Sequence, residues 1–290
     1  MDLLNDMRLR VPQLVRFLPM IVAGVLCMPL LLIAAPFEDA SSVVSLDYCA
    51  DQFVLKLLPP SRILALSPDS TRDFSYLRDK ARNYRQVKPV AEDVITLQPD
   101  LVVRTYGGGP NITHFFERLE LPVLQIGYAD SVESIQEVIQ VVANELGVGE
   151  SGKDIVREMN VRISALPYKE DGEDLLYVTP GGITGGVGTL VDSMINKAGL
   201  DNFQTLTGWR SLPLETLAYR QPKMVATAFY GDKTSHSNYW SAARHPVLRD
   251  QLGRAQSVAL SGATTACGGW FILDAIEKLA SARGSTESSK

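Results

Sequence analysis

Residues 92–105 read EDVITLQPDLVVRT and residues 215–228 read ETLAYRQPKMVATA. In each stretch a glutamate opens a short segment of helical character. Gln-Pro follows six and seven residues later, and an apolar run comes next. Proline lacks the amide that a helix interior requires and clashes with the preceding turn, so it stops the helix and feeds the chain into a core strand. The unit is therefore helix, stop, buried strand. It occurs twice, at the same point of two similar halves.

Working outward, the first half alternates short β-rich runs with helical ones. Residues 43–46 are a strand, 49–58 carry apolar residues at helical spacing, and 62–66 (RILAL) are a strand entered through Pro59-Pro60. Residues 101–104 and 123–126 are further strands, with a helix over 112–119 between them. This rhythm predicts a mainly parallel sheet with helices on both faces. It then breaks. Residues 131–146 form a helix capped by Ser131, with Ile135, Val138, Val141, Val142 and Leu146 as its apolar stripe. Gly147 and Gly149 punctuate it, a second helix covers 151–166, and Pro167 and a charged loop over 169–174 follow. The βα pattern then restarts with strands over 175–178, 224–228 and 257–260 and helices over 190–198 and 270–282. The fold class expected is α/β: two lobes, each a mainly parallel sheet flanked by helices, joined by one long backbone helix. The expected boundaries are 42–146 for the N-terminal lobe, 147–170 for the connecting helix and 171–290 for the C-terminal lobe.

The chain has 290 residues, of which 46% are hydrophobic and 21% charged, which excludes disordered and collagen-like classes. A single apolar stretch excludes a multi-span transporter. The formal charge is −5. Residues 1–35 carry a local +1, leaving −6 on the remainder with no basic block, which argues against nucleic-acid binding. Arg8, Arg10 and Arg16 precede an uncharged run over 17–35 that ends in Ala34 and Ala35, the order of a secretory signal. Cleavage is expected after Ala34 or Ala35, with Pro36 disfavouring the latter; the competing reading is an uncleaved membrane anchor. Leu26 stands where a lipobox before Cys27 needs a small residue. Export leaves Cys49 and Cys267 in an oxidising compartment, where they form either a bridge or two separate buried thiols.

The chemistry-bearing residues argue against an enzyme. The three histidines, His114, His236 and His245, form no HExxH and no ligand pair with cysteine, and no GxSxG occurs. The glycine-rich residues 181–188 (GGITGGVG) lack the lysine of a P-loop, and Val191 stands where a dinucleotide fingerprint needs its third glycine. They read as a loop entering a helix. No metal site and no intrinsic cofactor are expected. Aromatic and cationic residues do recur at strand ends: Tyr48 after the first strand, Arg104 and Tyr106 after the third, and Trp209, Arg210, Tyr230 and Trp270 in the second half. In open α/β sheets ligands bind outside the carboxyl ends of strands, so two facing lobes bring these residues to one cleft suited to a bulky, partly flat ligand.

In order along the chain, VVSLDYCADQFVL with RILALS, AEDVITLQPDLVV, GGVGTLVDSMINKAGLDN, LETLAYRQPKMVAT and CGGWFILDAIEKL resemble the helical-backbone periplasmic binding proteins of ABC importers for ferric siderophores, haem and cobalamin. The resemblance covers residues 42–283. It implies two lobes joined by one long helix within 151–166 and a ligand held between them by Tyr48, Arg104, Tyr106, Trp209, Arg210, Tyr230 and Trp270. Arg104 and Arg210 would face an anionic iron chelate, and Trp209 and Trp270 an organic face. Glu92 and Glu215 would dock on arginines of an inner-membrane permease. It further implies a periplasmic monomer that is not an enzyme and carries an iron chelate, haem or cobalamin as cargo; the absence of His-rich sites argues against bare metal. Cys49 and Cys267 fall near cleft loops, one per lobe, as a bridge or as cleft thiols. The alternatives are an exported α/β hydrolase-type enzyme and a membrane-tethered sensor built on the same lobes.

Overall fold

Only two residues separate strand β1 (Val43–Ser45) from helix α1 (Tyr48–Leu57), because the Asp47 side chain accepts the amide of Ala50 and caps the helix at once. The structure is a computed structural model describing residues 37–167, 172–228 and 245–283. The expected export segment 1–35 with Cys27, and Tyr230 and His236, lie outside them.

Strands β2 (Ile63–Ala65), β3 (Leu101–Arg104) and β4 (Val123–Gln125) join β1 in a parallel sheet of order β2-β1-β3-β4. Its crossovers carry α2 (Arg78–Ala81), α3 (Ala91–Ile95) and α4 (Ile112–Glu117). Helices α5 (Val132–Glu145) and α6 (Gly149–Ser164) come next. The second half contains β5 (Asp174–Val178), β6 (Ile183–Gly185), α7 (Leu190–Lys197), β7 (Asp201–Asn202), β8 (Trp209–Ser211) and α8 (Leu214–Tyr219). It continues through β9 (Met224–Ala228), α9 (Pro246–Arg254), β10 (Gln256–Leu260), α10 (Gly262–Thr265) and α11 (Ile272–Ala282). Strands β10-β9-β5-β7, in that order, make a second parallel sheet. The two Gln-Pro units thus feed β3 and β9, each an interior strand of its sheet.

Helix α6 falls where the connecting helix is expected. Helix α5 lies antiparallel against it, joined side chain to side chain by Gln136 and Asn160, and Gly152 lets the two approach: a Cβ there would sit 2.5 Å from that of Ala143. Helix α5 also rests on α1 of the first half and α7 of the second.

Strand alternation sorts the core into three parts. Val43, Leu101 and Val103 point to the same apolar cluster as Leu175 and Tyr177, which also takes in Phe53, Ile135, Ile139, Leu273 and Ile276. Val44, Val102 and Phe116 fill a separate cluster on the outer face of the first sheet, and Leu176, Val178 and Val225 one on the outer face of the second. The two halves therefore share one central core and each keeps its own outer layer.

Residues 181–188, expected as a loop, instead supply β6, which pairs antiparallel with β8 in a two-stranded ribbon. Glycine is what allows it: the Gly186 amide donates to the Gly208 carbonyl, and a Cβ at Gly186 would lie 1.8 Å from the carbonyl oxygen of Leu206. His245 caps α9 by accepting the amide of Val247, and His114 is an exposed partner of Glu117. Among the described residues no helix is long and apolar enough to cross a membrane.

Asp51 of α1 is fully buried; it accepts the amide and the hydroxyl of Ser67. Burial pushes its carboxyl up to about 8, against the hydrogen bonds of Ser67 and Ser45, which favour the ionised form. The folded state thus holds this proton more tightly than the unfolded chain. Its stabilising contribution is complete below the ordinary carboxylate range and is lost as pH rises toward 8. Chemical denaturation between pH 4.5 and 8.5 should show an Asp51-dependent fall in stability with rising pH, and Asp51→Asn should flatten that slope while holding stability at pH 8.

Candidate ligand-binding cleft

The carboxyl ends of β3 and β4 carry the loops that build one wall of a cleft. Asp47 organises the first. Four percent exposed, it accepts the amides of Thr105, Tyr106 and Gly107 and the hydroxyl of Thr105, besides capping α1. Gly107 makes this possible, since a Cβ there would lie 2.3 Å from the Leu46 carbonyl oxygen. The Gln125 amide holds the second loop to the first by donating to the carbonyl of Thr105.

The opposite wall comes from the second half: Trp209 on the ribbon, Leu190 at the start of α7, and the turn after α10. The enclosed volume is ≈ 440 Å³. Among the described residues its polar lining comprises Thr105, Gln125 and Thr265, its aromatic lining Tyr106, Tyr128, Trp209 and Phe53, and none of these lining residues carries a charge at neutral pH. A larger, shallow groove on the outer surface of α5 and α6 lies away from the strand ends.

Cys49 and Cys267 are joined by a disulfide, with Cα atoms 5.6 Å apart and 218 residues between them in sequence. Both line the cleft floor, where the two halves meet. Behind the bridge the seam continues in aromatic contacts. Trp270 meets Phe53 edge-on at 6.0 Å, and Tyr76 stacks on Phe271 at 4.8 Å. The Tyr76 hydroxyl donates to Asp274, whose other oxygen accepts from Arg162 at 2.7 Å; the same guanidinium also grips Glu277.

The sequence-selected residues separate into three groups. Tyr106 and Trp209 face the cleft, Trp209 51% exposed. Tyr48 packs edge-on against Tyr106 and Phe74 at the first wall. Burial raises both phenols above the ordinary tyrosine range, and their mutual contact raises that of Tyr106 further, so both are neutral hydrogen-bonding groups at pH 7. The second group is elsewhere. Trp270 is 8% exposed and belongs to the core between Phe53 and Phe271, with Lys56 over its ring. Arg104 is 6% exposed and turned toward α4, where it donates to the Thr113 hydroxyl. Arg210 bonds the Thr207 carbonyl and does not line the cleft. The sequence pattern places arginine and tryptophan near strand ends in the cleft, but a strand's last residue can point to either face of its sheet, and these turn inward or aside. Tyr230 lies outside the described residues. Tyr128, 79% exposed beyond the end of β4, is a cleft residue the sequence did not single out; its position three residues beyond the strand was the available signal.

Glu92 and Glu215 both stand exposed in the first turns of α3 and α8. No ion pair among the described residues engages either carboxylate. Among the described residues no cluster of three or more His, Cys, Asp or Glu is placed to hold a metal ion.

No protein-family model matches the chain, and no curated protein matches its sequence. Solved structures do. The periplasmic heme-binding protein HutB of Vibrio cholerae superposes with a TM-score of 0.67 at 17% identity, covering 84% of this chain and 98% of its own. The periplasmic vitamin B12-binding protein BtuF of Vibrio cholerae gives 0.62 at 16%, covering 88% and 100%. A possible iron-binding, periplasmic solute-binding protein from Staphylococcus epidermidis gives 0.66 at 15%, covering 84% and 99%. At these identities the likeness establishes the fold: a two-lobed α/β architecture shared with periplasmic binding proteins.

Removing the Asp47 carboxylate strips the amides of residues 105–107 of their common acceptor. Asp47→Ala should cost roughly 3 kcal/mol in chemical denaturation, as buried donors left unpaired do. It should also accelerate amide exchange in the Thr105–Gly107 loop more than in β9.

Proposed function

We propose that this protein is an exported solute receptor that captures a flat, partly apolar metal chelate, haem or a corrinoid in preference to a strongly anionic siderophore, and delivers it to an ABC importer. The observation that carries this reading is the cleft itself: aromatic side chains from both halves facing one another across an uncharged floor at the carboxyl ends of the strands. Aromatic rings suit a planar organic face, and threonine and glutamine supply neutral polar anchors. With Arg104 and Arg210 turned away from the cleft, the described residues of its walls offer no cation to a chelate that depends on its negative charge. The solved structures of like fold include proteins described as binding heme, vitamin B12 and iron, which supports the same ligand range. Among the described residues the cleft walls hold no histidine, carboxylate or lysine to act as a general base, which disfavours the hydrolase alternative.

Delivery needs a docking face. We assign it to Glu92 and Glu215, which occupy equivalent places before the two Gln-Pro units and present to solvent carboxylates that no described residue pairs with. Tyr219, one helical turn beyond Glu215 and 94% exposed, adds an aromatic anchor of the kind that dominates protein interfaces. The partner is a membrane permease with basic side chains opposite each glutamate, and the receptor works as a monomer in the periplasm after loss of residues 1–34 or 1–35.

Tryptophan quenching against haemin, cyanocobalamin and a ferric trihydroxamate tests the ligand class. Trp209→Ala should weaken binding of the preferred ligand about tenfold or more, whereas Trp270→Phe should lower stability and leave affinity within about threefold. Failure of all three ligands to bind below millimolar concentration would remove the receptor reading. The double variant Glu92→Lys/Glu215→Lys should abolish uptake in cells while leaving affinity unchanged; lost affinity would instead place these residues in the ligand site.

A further inference from the structure

We propose that the Cys49–Cys267 disulfide is a thiol–disulfide exchange site worked from the cleft by a dithiol reductant, and that cutting it loosens the cleft floor and speeds ligand release. Its last clause rests on the receptor reading; the exchange site does not.

Three observations lead there. First, both cysteines line the cleft and each is 8% exposed, so the sulfur pair borders an open cavity and a small reductant entering it reaches the bond without unfolding the protein. Second, the bridge lies at the cleft end of a seam that has other fastenings, among them the α5–α7 contact through Val132 and Ser193 and a cluster on the far side. Trp270, Phe271, Asp274 and Glu277 bind Phe53, Tyr76 and Arg162, and none of those four lines the cleft. With the sulfurs parted, these contacts and the shared core still hold the halves together, so reduction differs from denaturation. Third, among the described residues the bridge is the covalent tie between the first half and the short segment after β10. Helix α10 is four residues long; the Thr264 and Thr265 hydroxyls bond the Ser261 carbonyl locally, and Thr265 also pairs with the Tyr177 hydroxyl of the second sheet. Thr265, Ala266 and Gly268 are lining residues, so parting the sulfurs removes the covalent anchor of that stretch of floor.

The chemistry balances as an exchange. A reductant thiolate attacks one bridge sulfur, the Cys49–Cys267 bond breaks, and a mixed disulfide forms. The second reductant thiolate then displaces it. The dithiol ends as its own disulfide, having supplied two electrons and two protons, and Cys49 and Cys267 end as thiols.

Three measurements on the full mature protein test this. Under conditions where the protein stays folded, dithiothreitol followed by iodoacetamide should add two alkyl groups at a rate proportional to dithiothreitol concentration. A rate independent of that concentration means that unfolding limits access, and the exchange site is overturned. In ligand-free Cys49→Ser/Cys267→Ser, or in reduced and alkylated wild type where that variant folds poorly, amides of residues 262–268 should exchange at least tenfold faster with those of β9 unchanged. Equal acceleration in β9 would show a purely global role and overturn the proposal. Finally, haemin or cyanocobalamin, whichever binds the wild type, should dissociate about tenfold faster from the double variant; an unchanged rate overturns the retention step. If neither probe binds the wild type, the receptor reading fails, while the first two measurements still decide the exchange site.

Discussion

One apolar core runs through both halves of this protein, and the rest of the structure is arranged around that continuity. Each parallel sheet turns one face to it, α5 lies along it, and α1 from the first half and α11 from the second contribute to the same cluster. Burial on this scale is the main favourable term in folding, and here it acts across the seam as well as within each half. Two lobes joined only by a linker would hinge freely. Two lobes that share a core hold a cleft at the rim where the shared packing stops. The disulfide stands at that rim and lines the cleft.

The cleft is built by polar groups but offers an apolar surface. Asp47 commits its acceptor capacity to the helix and loop of its own half, and the Gln125 amide donates to the carbonyls around it. Satisfied in this way, these groups fix the position of Tyr106 without presenting charge to a ligand. Glycine has a matching role on the facing wall, where Gly186 admits the close chain approach that carries the ribbon and Trp209. Rigid loops of this kind favour recognition by shape and ring contact. The charge that the surface does carry in exposed, unpaired form at corresponding places, Glu92 and Glu215, lies on helices outside the cleft.

Much of the framework was legible in the chain. The strands over 43–46, 101–104, 123–126, 175–178 and 224–228 and the helices over 49–58, 131–146, 151–166 and 190–198 all appear within a few residues of their expected bounds. They were readable because buried strands and amphipathic helices impose periods of 2 and 3.6 on the placement of apolar side chains. The β6–β8 ribbon was not readable, since three-residue strands give too short a period and the glycines around them read as loop. The direction of side chains at strand ends was equally hidden. Trp209 and Trp270 look alike in sequence, yet one borders the cleft and the other fills the core.

The sequence by itself determined the α/β rhythm, its duplication around the two Gln-Pro units, and the helical pair between them, because local periodicity and the stereochemistry of proline act over a few residues. Only the tertiary structure decided which aromatics line the cleft, that Arg104 and Arg210 do not, and that Cys49 and Cys267 meet across 218 residues of chain. Those outcomes depend on how two sheets, each satisfactory alone, pack against a common core. The relative placement of distant segments is set by that packing, and no short stretch of residues encodes it.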